Sequence, residues 1–261
     1  MNSFRIFFVG GMTSYRALFG WLSPWILVPT FLVTPLFQIM LFVYIGRTAG
    51  VNDDRFFLIG NAVINAAVPC LFATGTTIGG ERRAGTLSLL IASPAKRIPL
   101  FLGRAMPVIL NGFLVTVFAL VAGSLVLQTY IPPATWGGIA VAIAACSASC
   151  TGLGLLVAAI ALRVRETAVM SNIILGLLMI FAGVNVPIAA MPGWMQGIAE
   201  WLPMTNGIQA TRNLAAGQSL SDVRVALLTE LGLGAFYAVL GLALLRRLEN
   251  ESRAKATLDF A

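Results

Sequence analysis

Residues 105–162 read AMPVILNGFLVTVFALVAGSLVLQTYIPPATWGGIAVAIAACSASCTGLGLLVAAIAL, and they contain no charged side chain. A helix that crosses the hydrocarbon core of a bilayer needs about 20 apolar residues, so this block is long enough for two such helices. The polar segment QTYIPPAT, residues 128–135, lies in its middle and contains adjacent prolines, which disfavour a continuous helix. The block therefore predicts two membrane-spanning helices, about 105–127 and 136–162, joined by a turn.

The rest of the chain repeats this pattern of long apolar blocks separated by short charged segments. Charged residues are also absent from residues 17–46, 56–80 and 167–199. Of the 261 residues only 10% are charged and 58% are hydrophobic, whereas a soluble domain is about a quarter charged. So few charges cannot cover a water-exposed surface of this size. The sequence therefore predicts an all-α integral membrane protein.

Six transmembrane helices are expected within one transmembrane domain, residues 1–261, at about 22–45, 56–77, 105–127, 136–162, 168–189 and 225–245. Residues 3–20 place apolar side chains at three- and four-residue spacing, which predicts an amphipathic helix in the membrane interface. Residues 190–221 are too apolar for a solvated loop and too interrupted by proline to span. We expect them to form a re-entrant helical hairpin on the outer face, before the last span.

The placement of basic residues predicts the orientation of the chain. With six spans and a cytoplasmic N-terminus, the outer segments hold only four of the 17 basic residues: Arg47, Arg55, Arg212 and Arg224. Because cytoplasmic loops carry an excess of Lys and Arg, both termini are expected in the cytoplasm. The same placement explains the net charge of +7 without nucleic-acid binding.

The sequence contains no recognisable catalytic or metal site. A phosphate-binding ATPase loop places a lysine directly after glycine, and neither lysine of this chain, Lys96 or Lys255, follows one. The chain has no histidine, and its three cysteines lie inside apolar blocks without the spacing of metal ligands. No catalytic residue, metal or resident cofactor is therefore expected. Any energy source must be an ion gradient or another subunit.

Few polar side chains fall within the predicted spans. Glu230 is the intramembrane acid, and pairing with Arg224 or snorkelling is the favoured interpretation, with a proton relay as the alternative. Amides within a membrane must face protein or a cavity, so they either bond between helices or line a solute path. The candidates for a path are Gln38, Asn61, Asn65 and Asn185.

The connection between the second and third predicted spans, residues 80–97, reads GERRAGTLSLLIASPAKR. A short apolar helix follows Gly85, and Ser93 ends it because the residue before a proline disfavours the α conformation. A short apolar helix flanked by charge predicts contact with lipid or with a groove in a partner protein.

Two motifs resemble those of ABC type-2 exporter permeases of the drug- and antibiotic-resistance type: ERRAGTLSLLIASP at 81–94 and LPMTNGIQATRNLAAG at 202–217. With the six-span layout, the resemblance covers essentially the whole chain. It implies two permease subunits, identical or different, and two cytoplasmic ABC ATPase subunits that bind ATP and Mg²⁺. Residues 85–92 would be the coupling helix. The implied ATPase-coupling residues are Glu81, Arg82, Arg83, Gly85, Thr86, Leu87, Leu89, Leu90, Ser93 and Pro94.

The resemblance also implies export across the cell inner membrane, along a path between the first, second and fifth spans. Mostly apolar spans with scattered amides favour a hydrophobic or amphiphilic cargo such as a drug, an antibiotic or a lipid-like metabolite. The alternatives are a polysaccharide or glycolipid permease of the same family, an ion-coupled secondary carrier, and a membrane scaffold that transports nothing.

Overall fold

The computed structural model describes residues 29–51, 53–83, 97–161 and 167–255, and within these ranges the chain is helical, with no β-strand. A π-helical turn, Pro29–Val33, precedes the first α-helix, and short 3-10 helices, Pro133–Thr135 and Ile188–Ala190, lie in two connections. The α-helices in the described ranges are α1 Thr34–Thr48, α2 Asp54–Ile64, α3 Ala67–Arg83, α4 Arg97–Val126, α5 Trp136–Ile160, α6 Thr167–Phe181, α7 Gly193–Trp201, α8 Thr205–Ala215 and α9 Arg224–Lys255.

A break separates α2 from α3 in the middle of the second predicted span, 56–77. Pro69 is the third residue of α3, and it lacks the amide N–H that would bond to the carbonyl of Asn65 in a continuous helix. Just after the break, the backbone of α5 lies close to that of α3. A Cβ on Gly154 would lie only 2.4 Å from the carbonyl oxygen of Cys70. The second predicted span is thus built from two helices, and Pro69 is the physical reason for the break between them.

The helix α5 lies at the centre of the described fold and packs against α3, α4, α8 and α9. It meets α9 through small residues: a Cβ on Gly152 would lie 2.2 Å from Gly234 O, and a Cβ on Gly234 would lie 2.4 Å from Ser149 Cα. Such close backbone approach is typical of membrane helices that place small residues at their contact. The small residues of the fourth predicted span therefore serve packing.

Four segments of the described residues are long and apolar enough to cross a membrane: Asp54–Gly75, Ala105–Val126, Pro133–Ile160 and Arg224–Leu248. They overlap the second, third, fourth and sixth predicted spans. The helices α1 and α6 overlap the first and fifth, and each has 15 residues. The all-helical membrane architecture agrees with the sequence, and the count of six spans stays a prediction.

The bounds of three helices differ from those expected. The fifth span was expected to continue to residue 189, but α6 ends at Phe181. Gly183 has a φ of +74° and Pro187 follows it, and both features interrupt a helix. In the expected charged connection, α3 continues to Arg83 and α4 already begins at Arg97.

Two predicted elements, the interfacial helix 3–20 and the coupling helix 85–92, lie outside the described residues. The predicted outer hairpin, 190–221, contains α7 and α8. Trp194 and Trp201 on α7 are exposed, as is typical of tryptophans at a membrane interface. Two helices lie in this range, and the re-entrant hairpin on the outer face stays a prediction.

Candidate solute path and its outer supports

Three predicted path residues from three separate elements form a chain of hydrogen bonds, which we name the amide chain: Gln38, Asn61 and Asn185. Gln38 on α1 donates through Nε2 to Oδ1 of Asn61 on α2, at 3.3 Å. Asn61 donates through Nδ2 to Oδ1 of Asn185, in the irregular segment after α6, at 2.8 Å. The fold thus joins side chains that lie far apart in sequence.

The centre of the amide chain is buried and its ends are partly exposed. Asn61 is 0% exposed, and it also donates to the carbonyl of Phe57 at 3.0 Å. Gln38 and Asn185 are half-buried. Asn65, the fourth path candidate, donates to the backbone carbonyl of Asn61 at 2.6 Å. Hydrogen bonding between helices, which was the alternative to a role in the path, is therefore present. Of the amide chain, only the end residues Gln38 and Asn185 are accessible.

Glu230 lies in α9, with its side chain buried against the start of α8. Its Oε1 accepts from the N–H of Met204 at 2.6 Å, and its Oε2 accepts from the N–H of Gly207 at 3.1 Å. The first N–H groups of a helix have no partner within that helix, and the helix dipole favours an anion beside them. The carboxylate of α9 therefore caps α8.

The expected pairing of Glu230 with Arg224 is corrected by this contact. Arg224 is the first residue of α9 and is exposed. Glu230 follows it by six residues and faces the interior instead, where the backbone amides of α8 compensate its charge.

Arg212 on α8 holds two other elements together. Its Nη1 donates to Gly183 O at 2.7 Å, and its Nη2 donates to Val184 O at 2.8 Å and to Phe56 O at 3.1 Å. The guanidinium also lies over the Phe56 ring, with its central carbon 3.6 Å from the ring centroid, close enough for a cation–π interaction. Burial lowers the pKa of Arg212 to about 10, so the side chain stays charged at neutral pH. The segment that carries Asn185 is thereby fixed beside the start of α2.

Sequence reasoning missed the role of Arg212, which it counted only among the outer basic residues. The available signal was the position of a cation within the mostly apolar region 190–221, because a buried cation requires acceptors.

Two glycines allow α2 and α8 to approach their neighbours closely. A Cβ on Gly60 would lie 2.2 Å from Val184 O, and a Cβ on Gly207 would lie 2.1 Å from Cys146 Sγ.

The implied ATPase-coupling residues lie at the end of α3 and beyond it. Glu81, Arg82 and Arg83 are the last three residues of that helix. The others lie outside the described residues: Gly85, Thr86, Leu87, Leu89, Leu90, Ser93 and Pro94.

Comparison with protein families gives a match over residues 47–245, to the model of a family described as ABC-2 family transporter protein. A comparison with curated proteins found no match. The family match covers more than half of the chain, and it includes Asn61, Asn185, Arg212 and Glu230. Its range also contains the four apolar segments that are long enough to cross a membrane, apart from the last residues of α9. The chain therefore belongs to the ABC-2 transporter family, as a multi-pass membrane subunit.

Proposed function

We propose that this chain is the permease subunit of an ATP-driven exporter, and that it moves a hydrophobic or amphiphilic compound out of the cytoplasm. The observation that carries the proposal is the family match over residues 47–245, in a helical chain with four apolar segments long enough to span. ABC-2 membership implies an ABC ATPase partner in general. Because this sequence has no phosphate-binding loop of its own, we assign ATP and Mg²⁺ to that partner.

The surroundings of the amide chain support an apolar or amphiphilic cargo. On α1 the exposed side chains include Phe37 and Leu41, and on α6 they include Ile173 and Leu177. Gln38 lies on α1 and Asn185 follows the end of α6, and the amide chain itself supplies neutral hydrogen-bonding groups and no charge. A compound with a large apolar part and a few polar groups fits such a path.

The helix α3 supports a mechanism for coupling ATP hydrolysis to the path. It is continuous over 17 residues, from Ala67 to Arg83, or about 25 Å at the usual helical rise. A displacement of Glu81–Arg83 by a docked ATPase would therefore pass to the turn at Asn65, beside the amide chain, without being absorbed by a loop. The full assembly in this proposal has two permease subunits, two ATPase subunits and cytoplasmic termini.

The position of Glu230 argues against an ion-coupled carrier. A proton relay requires an acid that meets water or another titratable group on the transport path. Glu230 instead has both carboxylate oxygens bound to backbone amides of α8, on the N-terminal side of a packed helix. This favours a structural role for the one acid that the sequence places deep within a span.

The proposal is tested by co-expressing the chain with its candidate ABC ATPase, purifying the complex and measuring ATP hydrolysis in lipid. We expect the ATPase to co-purify with the wild type, and Glu81→Ala or Gly85→Pro to release it or to uncouple hydrolysis from cargo. Glu200→Ala is the matched control, since Glu200 is exposed on α7 in the predicted outer hairpin. Transport that persists without any ATPase and collapses with the proton gradient would contradict the proposal.

A further inference from the structure

A pocket of about 340 Å³ lies between the start of α2 and the end of α8. Its polar lining includes Asp53, Arg55, Arg212 and Asn213, and its apolar lining includes Phe56 and Ile59. The predicted orientation places this pocket on the outer side of the membrane. The amide chain does not contribute to its lining, so the pocket is separate from the candidate path.

The pocket gathers positive charge. Of the four basic residues expected on the outside, Arg47 pairs with Asp54, and Arg224 is exposed at the start of α9. The remaining two, Arg55 and Arg212, both line the pocket. Asp53 is the one carboxylate that lines it, so the described lining carries one excess positive charge.

The hydrogen-bond acceptors of both guanidinium groups are neutral carbonyls, and Asp53 is the carboxylate whose charge acts on Arg212. Arg55 donates to Tyr130 O at 2.8 Å and to Ala215 O at 3.5 Å, and Arg212 donates to the three carbonyls already described. A guanidinium has five N–H donors, so donors on both residues have no acceptor among the described residues. One of them is the buried Nε of Arg212. Unpaired donors on a partly desolvated cation favour an anionic acceptor.

The size and shape of the pocket restrict the anion. Pockets for small molecules typically have volumes of about 300–1,000 Å³, so this one is at the lower end and fits a head group better than a whole drug-sized molecule. Guanidinium groups bind the oxygens of a phosphate, and the donors left over on Arg55 and Arg212 are available for this role. The apolar wall formed by Phe56 and Ile59 suits a phosphate attached to an apolar group.

We propose that this outer pocket binds the phosphate group of an anionic ligand between Arg55 and Arg212. The phosphate belongs either to a phospholipid head group of the outer leaflet or to free inorganic phosphate. The bound anion links the start of α2 to the end of α8. This inference goes beyond the proposed export and does not rest on it.

The test uses the purified full chain in detergent and measures the affinity for three soluble probes by calorimetry. The probes are dihexanoyl phosphatidic acid, inorganic phosphate, and dihexanoyl glycerol, which lacks the phosphate. We expect phosphatidic acid to bind and dihexanoyl glycerol not to bind. Comparable binding of inorganic phosphate identifies the free anion as sufficient, whereas binding of phosphatidic acid alone identifies a lipid head group.

Three variants locate the binding. Arg55→Gln removes a charged donor group, and we expect affinity to fall about tenfold or more. Asp53→Asn removes the competing carboxylate but keeps a good helix N-cap, so we expect affinity to rise severalfold, a gain that misfolding cannot produce. Arg224→Gln removes an exposed outer charge and should change nothing. Absence of binding by both phosphate probes, equal binding of dihexanoyl glycerol and phosphatidic acid, or unchanged affinity in the first two variants would overturn the proposal.

Discussion

The charged residues Glu230 and Arg212 bind backbone atoms, whereas the residues of the amide chain bind one another's side chains. The amides at the start of α8 cannot move unless that helix moves, and Arg212 on α8 bonds to carbonyls of α2 and of the segment after α6, so the two charged contacts fix α8 against its neighbours. A hydrogen bond between side chains in a membrane protein contributes about 0.6 kcal/mol on average, so amides can exchange partners at low cost. The contacts of Glu230 and Arg212 thus favour rigidity, whereas those of the amide chain favour rearrangement.

Loss of the Glu230 carboxylate is expected to have the largest effect on stability. Glu230→Ala leaves the buried amides of Met204 and Gly207 without their acceptor, which we expect to destabilise the fold by about 3 kcal/mol. Thermal unfolding in detergent measures this, with Glu200→Ala as the control because Glu200 is an exposed acid. Equal unfolding temperatures for the two variants would show that the contact of Glu230 with α8 does not stabilise the fold.

Overpacking of the contact between α5 and α9 tests the same rigid region without removing a charge. A Cβ at Gly234 would lie 2.4 Å from Ser149 Cα, whereas a Cβ at Gly232 would meet no atom within 4 Å. We therefore expect Gly234→Ala to destabilise the fold by about 2 kcal/mol and Gly232→Ala to leave the unfolding temperature almost unchanged. A tolerated Gly234→Ala would show that α9 can shift relative to α5.

Removal of the central amide is expected to cost less stability and to affect transport more. Asn61→Ala removes the side-chain bonds to Gln38 and Asn185, at a cost of about 1 kcal/mol. If α1, α2 and the segment after α6 move during transport, cargo-stimulated ATP hydrolysis by the assembled complex should also fall. Asn172→Ala is the control, because Asn172 is exposed and bonds only within its own helix, to Ala168 O at 3.0 Å. Equal cargo-stimulated ATP hydrolysis by both variants would show that the amide chain is not part of the path.

The smallest effect on stability is expected at the accessible end of the amide chain. Gln38 is half-buried, and its bond to Asn61 is long, at 3.3 Å, so Gln38→Ala should change the free energy of unfolding by about 0.5 kcal/mol or less. We expect its effect to appear in cargo preference, measured as the order of stimulation of ATP hydrolysis by compounds of different polarity. A large loss of stability with unchanged cargo preference would show that Gln38 has a structural role only.

Much of the fold could be predicted because hydropathy is a local property. The charge-free residues 105–162 predicted two helices, and α4 and α5 are found there. The break between α2 and α3 was also readable from Pro69, although it was not predicted. The motif at 202–217 predicted the family. It also contains both Arg212 and the amides that bind Glu230, yet neither contact was recognised.

The sequence alone predicted a helical membrane protein from its apolar blocks and the ABC-2 family from its motifs, and it named the amides that were candidates for a path. Apolar composition suffices for the membrane architecture, because the cost of placing a side chain in lipid depends mainly on the residue itself, whereas the family was indicated by specific motifs. The partners of the polar side chains could be seen only in the folded chain: Asn61 with Asn185, Glu230 with the start of α8, and Arg212 with the carbonyls after α6. Such partners depend on how closely helices cross, and contacts such as that between Gly152 and Gly234 set this distance only once the chain is folded.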